Sequence, residues 1–380
     1  MPYFYYILFA CIFFSCNNKP PQEKQKARTA VSAEKKEGPK YVNSVKIVSP
    51  EKKQSFRFNE NVDLVLTHKD RFPLDSTHLF LNGKFIAKGE KGQTLLRFQL
   101  PDKRAGINSL KVTAFHPESK QSTATVLIEV RPDIPPRSYR YKIVQVYPHD
   151  PKAYTQGLVY RDGFMYEGTG QYGESGIRKT DMKDGKIVSA LNIDSQLFGE
   201  GITIFNDKIY QLTWTSGKGF VYDLKTFTQE STFTYNTQGW GLTTYGNKLI
   251  MSDGSHKIYH IDPASFYILK EVEVYDHKGP VKNLNELEYI DGLLWANVWL
   301  EDRIVLIDPE SGAVKGELEL SGLLSPAERK QLDDSDDVLN GIAWNPEKGT
   351  VYLTGKRWPK MFEVRIDPQP QVNAGTERNI

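Results

Sequence analysis

From Val42 to Pro132 apolar and polar residues alternate in short runs separated by turn formers. Val45-Lys46-Ile47-Val48, Val62 to Leu66, Leu79-Phe80-Leu81, Leu95 to Phe98, Leu110 to Ala114 and Ala124 to Val130 each fit a strand with one buried face, because successive strand side chains point to opposite sides. Asn82-Gly83 fits a two-residue hairpin turn, since both residues tolerate positive φ. About seven short strands in residues 42–132 predict a small β-sandwich of immunoglobulin type. His68, His78 and His116 are scattered through it and read as surface or packing residues. Arg131-Pro132-Asp133-Ile134-Pro135-Pro136 reads as a stiff linker, because proline fixes φ and removes amide donors.

After the linker the pattern repeats. Gln156-Gly157-Leu158 leads to Phe164-Met165-Tyr166, Glu200-Gly201-Ile202 to Lys208-Ile209-Tyr210, and Trp240-Gly241-Leu242 to Lys248-Leu249-Ile250. Asn285-Glu286-Leu287 leads to Leu293-Leu294-Trp295, and Asn340-Gly341-Ile342 to Thr350-Val351-Tyr352. The central positions of the five units are 44, 40, 45 and 55 residues apart. Further strand pairs follow, several ending in Asp-Pro, a turn starter. A repeat of roughly 40–45 residues holding four short strands marks a propeller blade. Residues 139–368 are therefore expected to form a five-bladed β-propeller, in an all-β chain; a large barrel or a second sandwich would not require five equivalent units. The longer last interval fits an insertion from Ser321 to Asp337, opening as a helix at Ser325-Pro326.

The first residues change the picture of where the chain works. Pro2 to Ser15 are almost wholly apolar and end before Cys16. The run is short for a bilayer span and reads as a lipoprotein-type signal over residues 1–16, with Cys16 as the lipidated residue. A plain secretory signal with a chance cysteine is the alternative. Residues 17–41, rich in Lys, Gln, Pro and Glu, read as a disordered tether. Together they predict a chain anchored by lipid in a bacterial cell envelope, on the periplasmic or outer-membrane face. With Cys11 removed in the signal, no intrachain disulfide remains. The composition is that of an ordinary globular protein, 39% apolar and 25% charged. A net charge of +2 offers no basic surface for nucleic acid, and a monomer is expected.

The repeat also gathers chemistry. If each unit's first strand lines a channel, the equivalent residues Gln156, Glu200, Trp240, Asn285 and Asn340 form a ring. A scaffold position would tend to repeat one residue type; this one is polar, acidic and aromatic by turns. A second ring at the exits of the second strands would hold Glu167, Trp214, Asp253, Asn297 with Trp299, and Lys356. In an antiparallel pair, the start of one strand and the end of the next share a face. Both rings are thus expected at one mouth.

Tyr154-Thr155-Gln156-Gly157-Leu158, Phe198-Gly199-Glu200-Gly201-Ile202-Thr203, Gly239-Trp240-Gly241-Leu242, Asn285-Glu286-Leu287-Glu288-Tyr289, Trp295-Ala296-Asn297-Val298-Trp299, Leu339-Asn340-Gly341-Ile342-Ala343-Trp344 and Thr354-Gly355-Lys356-Arg357-Trp358-Pro359 resemble the motifs of plant and bacterial type glutaminyl cyclases. The resemblance spans about Tyr141 to Asp367 and leaves the N-terminal sandwich outside. It implies a glutaminyl-peptide cyclotransferase acting on peptides or proteins with N-terminal glutamine, closing it to pyroglutamate with release of ammonia. It further implies Glu200 as the catalytic acid, and Trp214, Trp240 and Trp299 as an aromatic pocket. Asn285 and Gln156 would bond the substrate's amide or main chain. Phe198 would close the pocket floor, and Glu167 is a candidate binder of the α-ammonium. Lys356 would steady the oxyanion or pair with Glu200.

Other chemistries fit less well. The repeat region's His149, His256, His260 and His277 lack zinc-ligand spacing, and no cysteine accompanies them. No cofactor is expected to be required, although the resemblance allows a structural calcium held by backbone carbonyls. Gly168-x-Gly170-x-x-Gly173 follows a strand without opening a βαβ helix, so it reads as a loop rather than a dinucleotide site. A metal-dependent lactonase would want several carboxylates where one glutamate stands. A non-catalytic propeller that binds a peptide end or a sugar is the competing reading.

Overall fold

A computed structural model describes residues 40–333 and 335–367. The expected signal, the lipid on Cys16 and most of the tether lie outside these residues. Two tether residues do not: Lys40–Tyr41 pair in parallel with Lys120 and Gln121.

The first part is two β-sheets around one core. Strands Lys46–Ser49, Asn61–Thr67 and Leu95–Gln99 form one sheet. The other joins Ser76–Leu81, Lys84–Gly89, Gly106–His116 and Lys120–Arg131, with short strands at its edge. The alternation seen in the sequence becomes burial: Val62, Leu64, Leu66, Leu96 and Phe98 from the first sheet meet Leu79, Leu110, Val112, Ala114 and Ile128 from the second. The hairpin turn falls at Asn82-Gly83, both with positive φ. No catalytic cluster appears there; His116 bonds the Pro73 carbonyl and the Ser122 hydroxyl.

The second part is sheet after sheet of the same plan. Residues 155–192, 199–234 and 242–273 make three four-stranded antiparallel sheets. An eight-stranded sheet holds the rest, in the order Leu284–Ile290, Leu293–Val298, Arg303–Ile307, Val314–Glu319, Arg137–Pro148, Lys360–Asp367, Thr350–Gly355 and Leu339–Asn345. The first strand of each unit contacts that of the next, and Leu339–Asn345 returns to Thr155–Arg161, closing a ring. Strand Arg137–Pro148, the one nearest the N-terminus, pairs antiparallel with Lys360–Asp367, the last. That pairing joins the two ends of the ring by hydrogen bonds.

The repeated glycine has a steric cause. A Cβ on Gly157 would lie 2.3 Å from the Ile202 amide nitrogen, on Gly201 2.4 Å from the Trp240 carbonyl, and on Gly241 2.1 Å from the Asn285 carbonyl. Neighbouring first strands approach too closely for any side chain. In the fourth unit Glu286 takes the glycine's place, and its carboxylate reaches the amides of Leu158 (3.3 Å) and Ile342 (2.8 Å), on two other first strands.

The insertion yields less helix than expected. Ser325 caps it with a full capping box to Glu328, but the helix is the single turn Pro326–Arg329. Beyond it the chain folds back on Asp333, whose carbonyl accepts from the amides of Asp336 and Asp337.

Gly157→Ala should force the first and second sheets apart. Overpacking of this kind costs about 1–3 kcal/mol, so thermal unfolding should begin several degrees lower. An unchanged midpoint would contradict the close-approach account.

Candidate active site

Four of the five first strands carry a bulge where the ring residues sit. Register shifts fall between Thr155 and Gly157, Gly199 and Ile202, Leu284 and Leu287, and Leu339 and Ile342. A bulge re-aims a side chain at a strand end. Here it directs Gln156, Glu200 and Asn285 into one cavity. The exits of the second strands are fixed to the same rim: the amides of Gly170, Trp214, Trp299 and Lys356 donate to the carbonyls of Tyr154, Phe198, Asn283 and Val338.

The cavity measures about 290 Å³ and is lined by Tyr154, Gln156, Gln171, Phe198, Glu200, Trp214, Trp240, Asn285, Trp299, Asp336 and Lys356. Eight of the nine residues singled out from the sequence are therefore together. Phe198 packs edge-on against Trp214 at 5.7 Å, and Trp240 against Trp299 at 5.6 Å.

Glu200 is 4% exposed, and among the described residues no hydrogen bond reaches its carboxyl. Burial drives its pKa well above the usual carboxylate range, with the Lys356 charge pulling part of the way back. Lys356 is displaced the other way: burial lowers its pKa, while Glu200 and Asp336 resist the change. No ion pair within 4 Å joins the two among the described residues; the Lys356 ammonium instead lies 3.5 Å from the Tyr154 hydroxyl and 4.7 Å above its ring. Tyr154 in turn donates to Asp336, which also accepts from Arg357 at 3.1 Å. Asn285 presents a buried amide oxygen without a partner. Gln156 accepts from the Asn340 amide at 3.1 Å, which leaves its own NH₂ as a donor.

Glu167 is the residue the structure does not bring here. Its carboxylate meets His149 at 3.0 Å, Arg178 at 2.6 Å and the Thr155 hydroxyl at 2.6 Å. It lines a different cavity, of about 470 Å³, with His149, Asp150 and Arg178. Burial alone would raise its pKa, but the His149 and Arg178 charges hold it down to about 2. The cause is register. Trp214, Trp299 and Lys356 immediately follow their strands, whereas Glu167 sits inside Phe164–Thr169. Asp253 is also occupied, by Thr237, Tyr259 and Ser255.

Sequence reasoning passed over Tyr154, Gln171, Asp336 and Gln238. Tyr154 stood in a quoted motif, two residues before Gln156. Asp336 lies in the insertion and Gln171 in a turn at positive φ, outside the repeat. Gln238 is exposed, yet its one amide oxygen accepts from both the Trp214 and Trp240 indoles, each at 2.9 Å. It ties two walls of the cavity together.

A buried carboxyl with a raised pKa in a small aromatic cavity is a candidate acid for a site acting on a bound polar group. A family model described as glutamine cyclotransferase matches residues 112–366. A protein from Arabidopsis thaliana named glutaminyl-peptide cyclotransferase is 38% identical over 240 residues, 62% of this chain and 73% of that one. The crystal structure of Myxococcus xanthus glutaminyl cyclase superposes with a TM-score of 0.57 at 35% identity, covering 61% of this chain and 98% of that one. The chain belongs to the glutamine cyclotransferase family.

Gln238→Leu should release both indoles. The near-UV circular dichroism of the tryptophans should weaken, and Gln238→Glu, which keeps an acceptor, should restore it. Identical spectra for wild type and Gln238→Leu would show that the walls hold without the bridge.

Proposed function

We propose that this chain converts N-terminal glutamine of peptides and proteins to pyroglutamate with release of ammonia, using Glu200 as its proton carrier. Family membership and 38% identity to a glutaminyl-peptide cyclotransferase support the activity. The observation that carries the site is Glu200, a carboxyl buried inside an aromatic cavity and, among the described residues, reached by no hydrogen bond.

The substrate's α-amine attacks the γ-carboxamide carbon of the same residue. A C–N bond forms to the α-nitrogen, and the bond to the amide nitrogen breaks. The net proton movement is from the attacking nitrogen to the departing one, which leaves as ammonia. Glu200, whose acid form burial favours, donates to the leaving nitrogen and recovers a proton from the attacking one. Because the two reacting groups share one residue, the protein's task is to fold that residue and exclude water. Trp214, Trp240, Trp299 and Phe198 form walls suited to this. Asn285 offers an acceptor for the amine and Gln156 a donor for a substrate carbonyl. Lys356 tunes Glu200 and faces the developing oxyanion.

No cofactor is assigned a step. A calcium held by carbonyls would be structural. In this reading the five units of 155–192, 199–234, 242–273, 284–319 and 339–367 with 137–148 are the blades of a five-bladed β-propeller. Residues 42–132 are an immunoglobulin-like sandwich. The closed ring of first strands and the two-sheet core support those two assignments. The apolar run before Cys16 and the polar stretch after it support lipid anchoring at the cell envelope.

Ammonia release from glutamine dipeptides with free N-termini tests the reading. Wild type should release ammonia undiminished by chelator, and Glu200→Gln should lose roughly 10²–10⁴-fold. Absence of release from any such peptide by folded protein would leave a binding propeller. The pH profile tests Lys356. The acid form of Glu200 exists below its pKa and is lost as pH rises through it, so Glu200 sets the alkaline limb. The Lys356 charge lowers that pKa, so Lys356→Met should move the limb to higher pH. An unmoved limb with uniformly lower kcat would leave Lys356 only the oxyanion role.

A further inference from the structure

The two-sheet N-terminal part is built into the second part rather than strung beside it. Tyr275 and Ala313, which follow the third sheet and precede Val314–Glu319, belong to the sandwich's own hydrophobic core. They form a bridge with each other. The Ala105 amide donates to the Ser311 carbonyl at 2.8 Å, and the Ile107 amide to the Glu273 carboxylate at 2.5 Å. Gly106 lies between them because no Cβ fits: it would sit 2.2 Å from that carboxylate. Two arginines extend the contact. Arg57 donates to the carbonyls of His277 and Pro132, and Arg131, itself held by Glu129, donates to the Lys278 carbonyl at 2.6 Å.

What these arginines grip is the connection that feeds the cavity. Residues 276–279 form a tight turn around the Asp276 carboxylate. A few residues later comes Asn283, at φ 60°. Its amide donates to the Gly254 carbonyl at 3.1 Å, and its carbonyl accepts from the Trp299 amide at 2.9 Å. Gly254 is where the Trp240 indole rests, since a Cβ there would lie 2.5 Å from that ring. Asn285 follows two residues on. One connection thus supports Trp240, Trp299 and Asn285 together, and its outer turn is held by side chains of the N-terminal sheets.

We propose that the N-terminal sheets act as a brace for the substrate pocket, with Arg57 and Arg131 as positioning residues for the wall formed by Trp240, Trp299 and Asn285. This rests on the reading of that cavity as the glutamine site. Charged hydrogen bonds to backbone carbonyls are directional and stronger than neutral ones. A small displacement of such a wall weakens substrate positioning steeply, whereas Glu200 is carried by a different strand, Gly199–Phe205.

The test uses the full chain with Arg57→Ala and Arg131→Ala combined, Arg131→Ala alone, and Arg131→Lys as the conservative return. Hydrogen exchange at residues 276–284 and at the Trp299 amide is read beside steady-state kinetics on a glutamine dipeptide. In the double variant the amides should exchange faster, and KM should rise about tenfold with kcat within a few-fold and the alkaline limb unmoved. Arg131→Lys should recover most of the loss. Unchanged exchange at Trp299 and an unchanged KM would overturn the brace. If the double variant unfolds, Arg131→Ala, which removes one bond to Lys278, decides by the same two readouts. Wild type that releases no ammonia would defeat the cyclase reading instead; the exchange measurement would still judge the brace.

Discussion

The closeness of the first strands around the ring governs everything built on them. Gly157, Gly201 and Gly241 let one backbone lie against the next with no room for a methyl group. That contact brings four of the five strand starts to one small cavity. It also leaves buried backbone amides that need partners, and Glu286 meets two of them from across the ring. Burial raises the Glu286 pKa well above the usual range, with the neighbouring Glu288 charge adding to it. A carboxyl in its neutral form is less costly to bury than a carboxylate. It remains able to accept from both amides.

Glu200 experiences the same burial with the opposite outcome for chemistry. Glu286 is satisfied by the scaffold, whereas among the described residues no hydrogen bond reaches the Glu200 carboxyl at the cavity. Two buried glutamates on neighbouring positions of one architecture thus divide into a structural group and a group available to a ligand. The difference is not pKa, since both are raised. It is hydrogen bonding: fully partnered groups hold structure, and an unpartnered one facing an open cavity can transfer a proton.

Much of this was legible in the sequence because periodicity carries over to geometry. Five equivalent triplets placed Gln156, Glu200, Trp240 and Asn285 on equivalent strands, and antiparallel pairing brought Trp214, Trp299 and Lys356 to the same rim. The error at Glu167 came from the same reasoning applied three residues short of the strand exit, where a side chain points into the sheet stack. Bulges could not be read at all, since they arise from strand contacts distant in sequence. Gln238 and Asp336 lay outside the repeat, and their roles depend on which indole or hydroxyl folding brings near. The helix fell to one turn because local capping at Ser325 says where a helix starts, not how far packing will carry it. The attachment of the sandwich through Tyr275 was invisible for a related reason: an isolated tyrosine in a connection looks the same whether it meets solvent or another core.

The most direct measurement is a crystal structure of the Glu200→Gln variant with a glutamine dipeptide bound. The proposed chemistry predicts the glutamine side chain folded among Trp214, Trp240 and Trp299, its amide nitrogen within hydrogen-bond distance of residue 200. A dipeptide bound with its glutamine outside this cavity, for example beside Glu167 and Arg178, would contradict it.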